Sequence, residues 1–171
     1  CSDVASAFDC VKSVLLLLKL RRSGVDPAIL RVIASWLSER TAQVTVHGEK
    51  SSVFSLCDMT FQGTVWGPCL WNTFFSDVVF PSRACAFEEV IFADDLNAFR
   101  AFDNSSSLDF VLEQLTRCQG ELHSWGQANG VTFEPGKESF HVLSHVQPYG
   151  PSFRLLGVTI DVQLTVSEAV S

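Results

Sequence analysis

Two adjacent carboxylates, Asp94 and Asp95, stand between two apolar arms in the stretch Val90-Ile91-Phe92-Ala93-Asp94-Asp95-Leu96-Asn97-Ala98-Phe99. Arms this short and this apolar are predicted to be strands, meeting over residues 86–102 with the aspartates at the apex of a hairpin. A turn accommodates aspartate, but tight hairpin turns favour Asp-Gly or Asn-Gly. Like charges side by side within hydrophobic strands are costly unless a cation neutralises them. The pair is therefore a candidate metal site as well as a turn. A second acidic element adds to it, since Asp3-Val4-Ala5-Ser6-Ala7-Phe8-Asp9 places Asp3 at the end of a strand. A hard cation such as Mg²⁺ takes carboxylate oxygens and is completed by substrate phosphates. Two such ions ~3.5–4 Å apart serve phosphoryl transfer by activating the attacking hydroxyl and stabilising the leaving group. One carboxylate from one strand and two from a neighbouring hairpin suffice to hold them.

The rest of the chain supplies a core for such a site. Residues 1–8 read as the end of a strand and residues 10–22 as a helix with Val11, Val14, Leu15 and Leu18 on its apolar face. Gly24 stops that helix. Asp26-Pro27 is an N-cap followed by proline in the first turn, opening a helix to about residue 38 with Ile29, Leu30, Ile33, Trp36 and Leu37 at helical spacing. Residues 41–47 and 51–58 form a β-hairpin turning at His47-Gly48-Glu49-Lys50. Gly67-Pro68 opens a helix striped by Leu70, Trp71, Phe74, Phe75 and Val78. Ser106 and Asp109 form a capping box at the start of a long helix with Leu108, Val111, Leu112, Leu115, Leu122 and Trp125 inward. Asn129-Gly130 ends it, and strands are predicted near 131–134, 138–144 and 153–160. Strands separated by helices of unequal length predict an α+β fold, an antiparallel sheet with helices packed on one face.

At 171 residues the chain amounts to one domain. Its longest aliphatic run, Val14 to Leu18, falls far short of the ~20 residues that span a bilayer, so no membrane role is expected. Six cysteines at irregular spacing, none in a C-x-x-C pair, read as reduced thiols of a nuclear or cytoplasmic protein. A structural zinc site from His141, His145 and a cysteine lacks paired spacing. A net charge of −7 argues against a free-standing nucleic-acid binder, which would carry a basic footprint.

Five motifs, in order, make the reading specific. Asp3-x-x-x-Ala7-Phe8 resembles the first catalytic motif of reverse transcriptases, and Phe92-Ala93-Asp94-Asp95 resembles their aromatic-x-Asp-Asp box. Phe61-Gln62-Gly63-Thr64-Val65-Trp66-Gly67-Pro68 is similar to the family's Pro-Gln-Gly-Ser-x-x-Gly-Pro, with Phe and Thr replacing Pro and Ser. Trp125 through Lys137 resembles the segment presenting a lysine near the incoming triphosphate, and Phe153-Arg154-Leu155-Leu156-Gly157-Val158 resembles the motif that grips the primer. Gly24, Ser35-Trp36-Leu37 and Arg40 fit the non-LTR retrotransposon version of the family.

The resemblance covers nearly the whole chain. It implies a polymerase palm with a ferredoxin-like core over residues 1–171, truncated at both ends, with fingers and thumb missing. It implies RNA-directed DNA synthesis: transfer from a dNTP to a primer 3′-hydroxyl on an RNA template, with two Mg²⁺ ions or Mn²⁺ in their place. Asp3, Asp94 and Asp95 would hold the metals, and Lys137 would neutralise or protonate the leaving pyrophosphate. Phe8 would stack under the sugar and block a 2′-hydroxyl, while Gln62 and Gly63 would let backbone approach template and nucleotide. As residue types alone, Phe8 reads as core, Gly63 as a turn glycine and Lys137 as a solvated turn lysine. Asp9 matches the family's trailing aspartate and reads as structural. A palm concentrates carboxylates while most phosphate contacts lie elsewhere, which reconciles the charge of −7 and implies that this stretch alone is inactive. Two alternatives stay open. One is an inactive or domesticated remnant acting as a scaffold. The other is an RNA-dependent RNA polymerase, against which stand Phe92-Ala93 before the aspartates, Gln62-Gly63 in place of Ser-Gly, and Phe8 where a polar group would meet the 2′-hydroxyl.

Overall fold

The computed structural model describes residues 2–5, 7–56, 58–60 and 63–164. The predicted hairpin forms: β6 (Glu88–Phe92) pairs antiparallel with β7 (Asp95–Phe99), and β1 (Ser2–Asp3) lies along the other side of β7. Val4 extends β1 by an antiparallel bridge to Phe133, and the Ala5 amide donates to the Thr132 carbonyl at 2.9 Å. Residues far apart in the chain thus meet on one short strand. Side chains alternate as a strand requires. Leu96 is buried and Ile91 and Ala98 pack against the core, whereas Val90, Phe92, Asp95 and Phe99 are exposed. The sheet therefore has one covered and one open face.

The helices fall close to their predicted places: α1 (Ser13–Arg22), α2 (Pro27–Leu37), α3 (Gly67–Phe75) and α5 (Leu108–Asn129), with a short α4 (Val79–Ala84) that the sequence reading passed over. Asp26 caps α2 as expected, its carboxylate accepting from the Ala28 amide. On α5 the cap is Ser107, whose hydroxyl accepts from the Phe110 amide, one residue later than the predicted box. Gly130 closes that helix at φ +73°, a conformation glycine adopts without strain. The second hairpin is narrow and interrupted, β2 (Arg40–Ala42) pairing with β5 (Phe54–Leu56) and β3 (Thr45–Val46) with β4 (Glu49–Lys50).

Four expectations need correction. The strand read over residues 1–8 ends by Val4, and Ala7–Asp9 is a 3₁₀ turn. The inward face of α1 is Leu16 and Leu20, with Val14 and Leu18 exposed at 70% and 47%. Five consecutive aliphatic residues carry no period, so local pattern could not choose the face. Residues 153–160 are two strands, β8 (Phe153–Leu155) and β9 (Val158–Ile160), because Leu156 and Gly157 both take positive φ and reverse the chain. Residues 131–134 and 138–144 contribute only single bridges at Phe133 and Val142. No helix among the described residues is long and apolar enough to cross a membrane.

Burial of Lys19 chooses the α1 face. Its ammonium donates to the Phe74 carbonyl at 2.6 Å and to Asp77 at 2.7 Å, and lies over the Phe74 and Trp125 rings. The Trp125 indole N–H donates to the same Asp77 oxygen at 3.0 Å, so one carboxylate, in the 3₁₀ turn Ser76–Val78 that follows α3, ties α1 to α5. Burial lowers the Lys19 pKa, and Asp77 opposes that shift. Asp77→Ala leaves the ammonium without its counter-charge. We expect a loss of about 2 kcal/mol in urea denaturation, below the roughly 3–5 of a fully enclosed pair because Asp77 is partly solvated. The unfolded chain then binds more protons than the folded one, so the deficit should narrow as pH rises toward the ordinary lysine range.

Candidate active site

The hairpin apex is a two-residue loop. Phe92 pairs with Asp95, leaving Ala93 and Asp94 between the strands. Ala93 sits at φ +56°, where a residue with a Cβ carries about 1 kcal/mol of strain. Its carbonyl is held by the indole N–H of the buried Trp71 at 3.0 Å. That bond pins the loop to α3, and the sequence reading assigned Trp71 only to a core stripe. Asp94 is half-buried and Asp95 exposed.

Asp3 faces Asp95 directly: the two are antiparallel register partners, Ser2 with Leu96 and Asp3 with Asp95. Strand pairing therefore gathers the three aspartates on backbone alone, although Asp3 and Asp95 lie at opposite ends of half the chain. The side chain of Asp3 is outside the described atoms. Among the described residues no three His, Cys, Asp or Glu side chains form a cluster.

A cleft of about 290 Å³ opens beside Asp95, lined also by Ser2, Asn97, Lys137 and Arg154. Lys137 and Asp95 thus share one cavity. The Lys137 ammonium is 3.2 Å from Glu134 Oε2, and its amide donates to the Glu134 carbonyl at 2.9 Å, closing a tight turn. The Arg154 guanidinium donates to the Gly157 carbonyl at 3.2 Å. Lys137 and Arg154 bring two cationic side chains to the cleft that Asp95 lines.

Phe8 lies in a 3₁₀ turn, Ala7–Asp9, half-buried, with its ring 6.2 Å from that of Trp71. Its carbonyl accepts from the buried Thr60 amide at 2.8 Å. Phe8 therefore both packs on the core and stands one side chain from the hairpin apex, since Trp71 touches both. Gly63 is exposed at φ +85° with open space around it. Gln62 lies outside the described residues. His141 is committed through both ring nitrogens, to Pro151 O at 2.9 Å and to Ser139 Oγ at 2.7 Å, so it is not offered as a zinc ligand.

The sequence reading also missed Glu138 and His123. The Glu138 side chain is 8% exposed, and the His123 Nε2–H donates across both its oxygens at 2.9 and 3.0 Å. No local spacing announces a pair separated by a helix end and a turn.

The family described as reverse transcriptase (RNA-dependent DNA polymerase) matches residues 1–160. The chain is 29% identical to the RNA-directed DNA polymerase from mobile element jockey of Drosophila melanogaster, over 99% of its own length and 20% of that protein's. It is also 29% identical to the protein of the same description from Drosophila funebris, over 95% of itself and 19% of the relative. The chain spans about a fifth of the length of these relatives. With its family matched over all but the last eleven residues, the chain belongs to the reverse transcriptase family.

Proposed function

We propose that this chain is the palm of an RNA-directed DNA polymerase encoded by a non-LTR retrotransposon of the jockey kind. The observation that carries the reading is the register of β1 on β7, which sets Asp3 opposite Asp95 beside the loop bearing Asp94. In a palm with a ferredoxin-like core the strand order would be residues 132–133, β1, β7, β6, and the bridge at Val4 supports that order. Asp3 on β1, Asp94 in the loop and Asp95 on β7 would offer an all-oxygen donor set of the kind that suits two Mg²⁺ ions, with Mn²⁺ as substitute. Asp3, Asp94 and Asp95 would hold them. When bound, such a pair supplies Lewis-acid stabilisation of the attacking and leaving oxygens.

The chain's own residues do the rest. The primer 3′-hydroxyl gives its proton to solvent as its oxygen bonds to the α-phosphorus of a dNTP, the α–β bridging P–O bond breaks, and pyrophosphate leaves. Lys137, on the cleft beside Asp95, meets the charge that develops on that leaving group and gives it a proton or neutralises it. Phe8 holds the sugar and excludes a 2′-hydroxyl, resting on Trp71. Gln62 and Gly63 let template and nucleotide approach backbone closely, glycine because no Cβ intervenes. RNA template, DNA primer and dNTP are the implied partners. The test is primer extension on an RNA template by a polymerase carrying this chain with its neighbouring regions. Deoxynucleotide incorporation that EDTA abolishes supports the reading. Incorporation of ribonucleotides alone would favour an RNA polymerase, and no incorporation would favour a scaffold remnant.

A further inference from the structure

The turn that carries Lys137 is anchored at both ends to the strand that carries Asp3. At its entrance Phe133 bridges Val4 through the backbone. At its exit the Glu138 carboxylate accepts from Ser2 Oγ at 3.3 Å, next to Asp3, and from His123 Nε2–H at 2.9 and 3.0 Å. His123 belongs to α5 and stacks flat on Phe133, their ring centroids 5.8 Å apart and their planes 12° from parallel. Between the anchors, the hydrogen bond from the Lys137 amide to the Glu134 carbonyl and the ion pair of their side chains make the turn a single stiff unit. Exposure swings across one peptide bond, from 57% for the Lys137 side chain to 8% for that of Glu138. The lysine reaches the cleft because its neighbour is drawn inward.

An enclosed carboxylate is costly, and an apolar side chain would fill the same space without that cost. What an apolar residue would lack is directional bonds to two elements at once. Those bonds reach a helix that supports the turn and the strand that brings Asp3 to Asp95.

We propose that Glu138 is a positioning residue: its carboxylate locks the Lys137 turn to the Asp3 strand and so fixes the lysine over the cleft beside Asp95. This rests on the role given above to Lys137. Glu138 itself touches no substrate, so its effect on the reaction must pass through the lysine. A displaced general acid or counter-charge weakens transition-state stabilisation and leaves nucleotide binding largely intact.

The test is steady-state dNTP incorporation on an RNA template, again in a polymerase carrying this chain with its neighbouring regions. The variants are Glu138→Ala, Glu138→Gln, Lys137→Ala and the double Glu138→Ala/Lys137→Ala. Glu138→Ala is expected to lower kcat about 10-fold with KM for dNTP little changed. Glu138→Gln keeps one oxygen acceptor, enough for the Ser2 hydroxyl and the His123 N–H that share Oε1, and should recover most of the loss. In the Lys137→Ala background, Glu138→Ala should cost no more than about two-fold further. Should Glu138→Ala fail to fold, Ser2→Ala and His123→Phe each remove one tether, and the same non-additivity is expected. An unchanged kcat in Glu138→Ala, or an equal loss with and without Lys137, would overturn the inference alone. Absence of synthesis by the unsubstituted protein would overturn the functional reading and this inference with it.

Discussion

Asp94→Asn is expected to lower RNA-templated DNA synthesis by about 10³-fold or more in a polymerase carrying this chain. The substitution keeps shape and hydrogen-bonding capacity while removing the anionic oxygen that a hard cation requires. Asp94 occupies a two-residue loop whose carbonyl at Ala93 is held by Trp71, so the loop should keep its conformation and the loss should lie in chemistry. Thermal melting of the variant checks that separation: a melting point close to the parent's, with synthesis lost, is the expected pair of results. Asp3→Asn should behave alike, since its register partner is Asp95. Near-normal incorporation by the Asp94 variant would remove this residue from the site.

Shortening Phe8 to Val should raise the use of ribonucleotides relative to deoxyribonucleotides by about 10-fold or more, because the barrier to a 2′-hydroxyl is steric. The ring also packs against Trp71, so the variant will lose some stability and some active protein. The ratio of kcat/KM for the two nucleotide classes is therefore the quantity to measure, since the concentration of active enzyme cancels from it. A raised ratio assigns Phe8 to sugar selection. An unchanged ratio in an active variant assigns it to the core, where its residue type alone would have put it.

These two residues illustrate what the sequence made legible. Asp94-Asp95 between apolar arms announced a hairpin, and β6 and β7 form it with the loop one residue earlier, at Ala93-Asp94. The stripe Leu70, Trp71, Phe74, Phe75 and Val78 is buried throughout, because aromatic bulk at helical spacing leaves one face that can be covered. The α1 face was not legible. Val14 to Leu18 is apolar at every position, and the choice was made by Lys19 reaching Asp77, 58 residues away. Tethers of the site were hidden for the same reason. Trp71 to Ala93, Glu138 to His123 and Ser2 to Glu138 are bonds between segments with no shared local pattern. Periodicity reports which side of an element is covered, and contacts across the fold depend on where the other elements come to rest.

Metal-directed cleavage tests the central claim most directly. With Fe²⁺ substituted for Mg²⁺ and ascorbate and peroxide added, hydroxyl radicals cut backbone close to the bound ion. If Asp3, Asp94 and Asp95 hold the metals, cuts should cluster at residues 2–4 and 92–96, fade as Mg²⁺ is added in competition, and vanish in Asp94→Asn. Cuts that fall elsewhere, or that persist undiminished in the variant, would contradict the account.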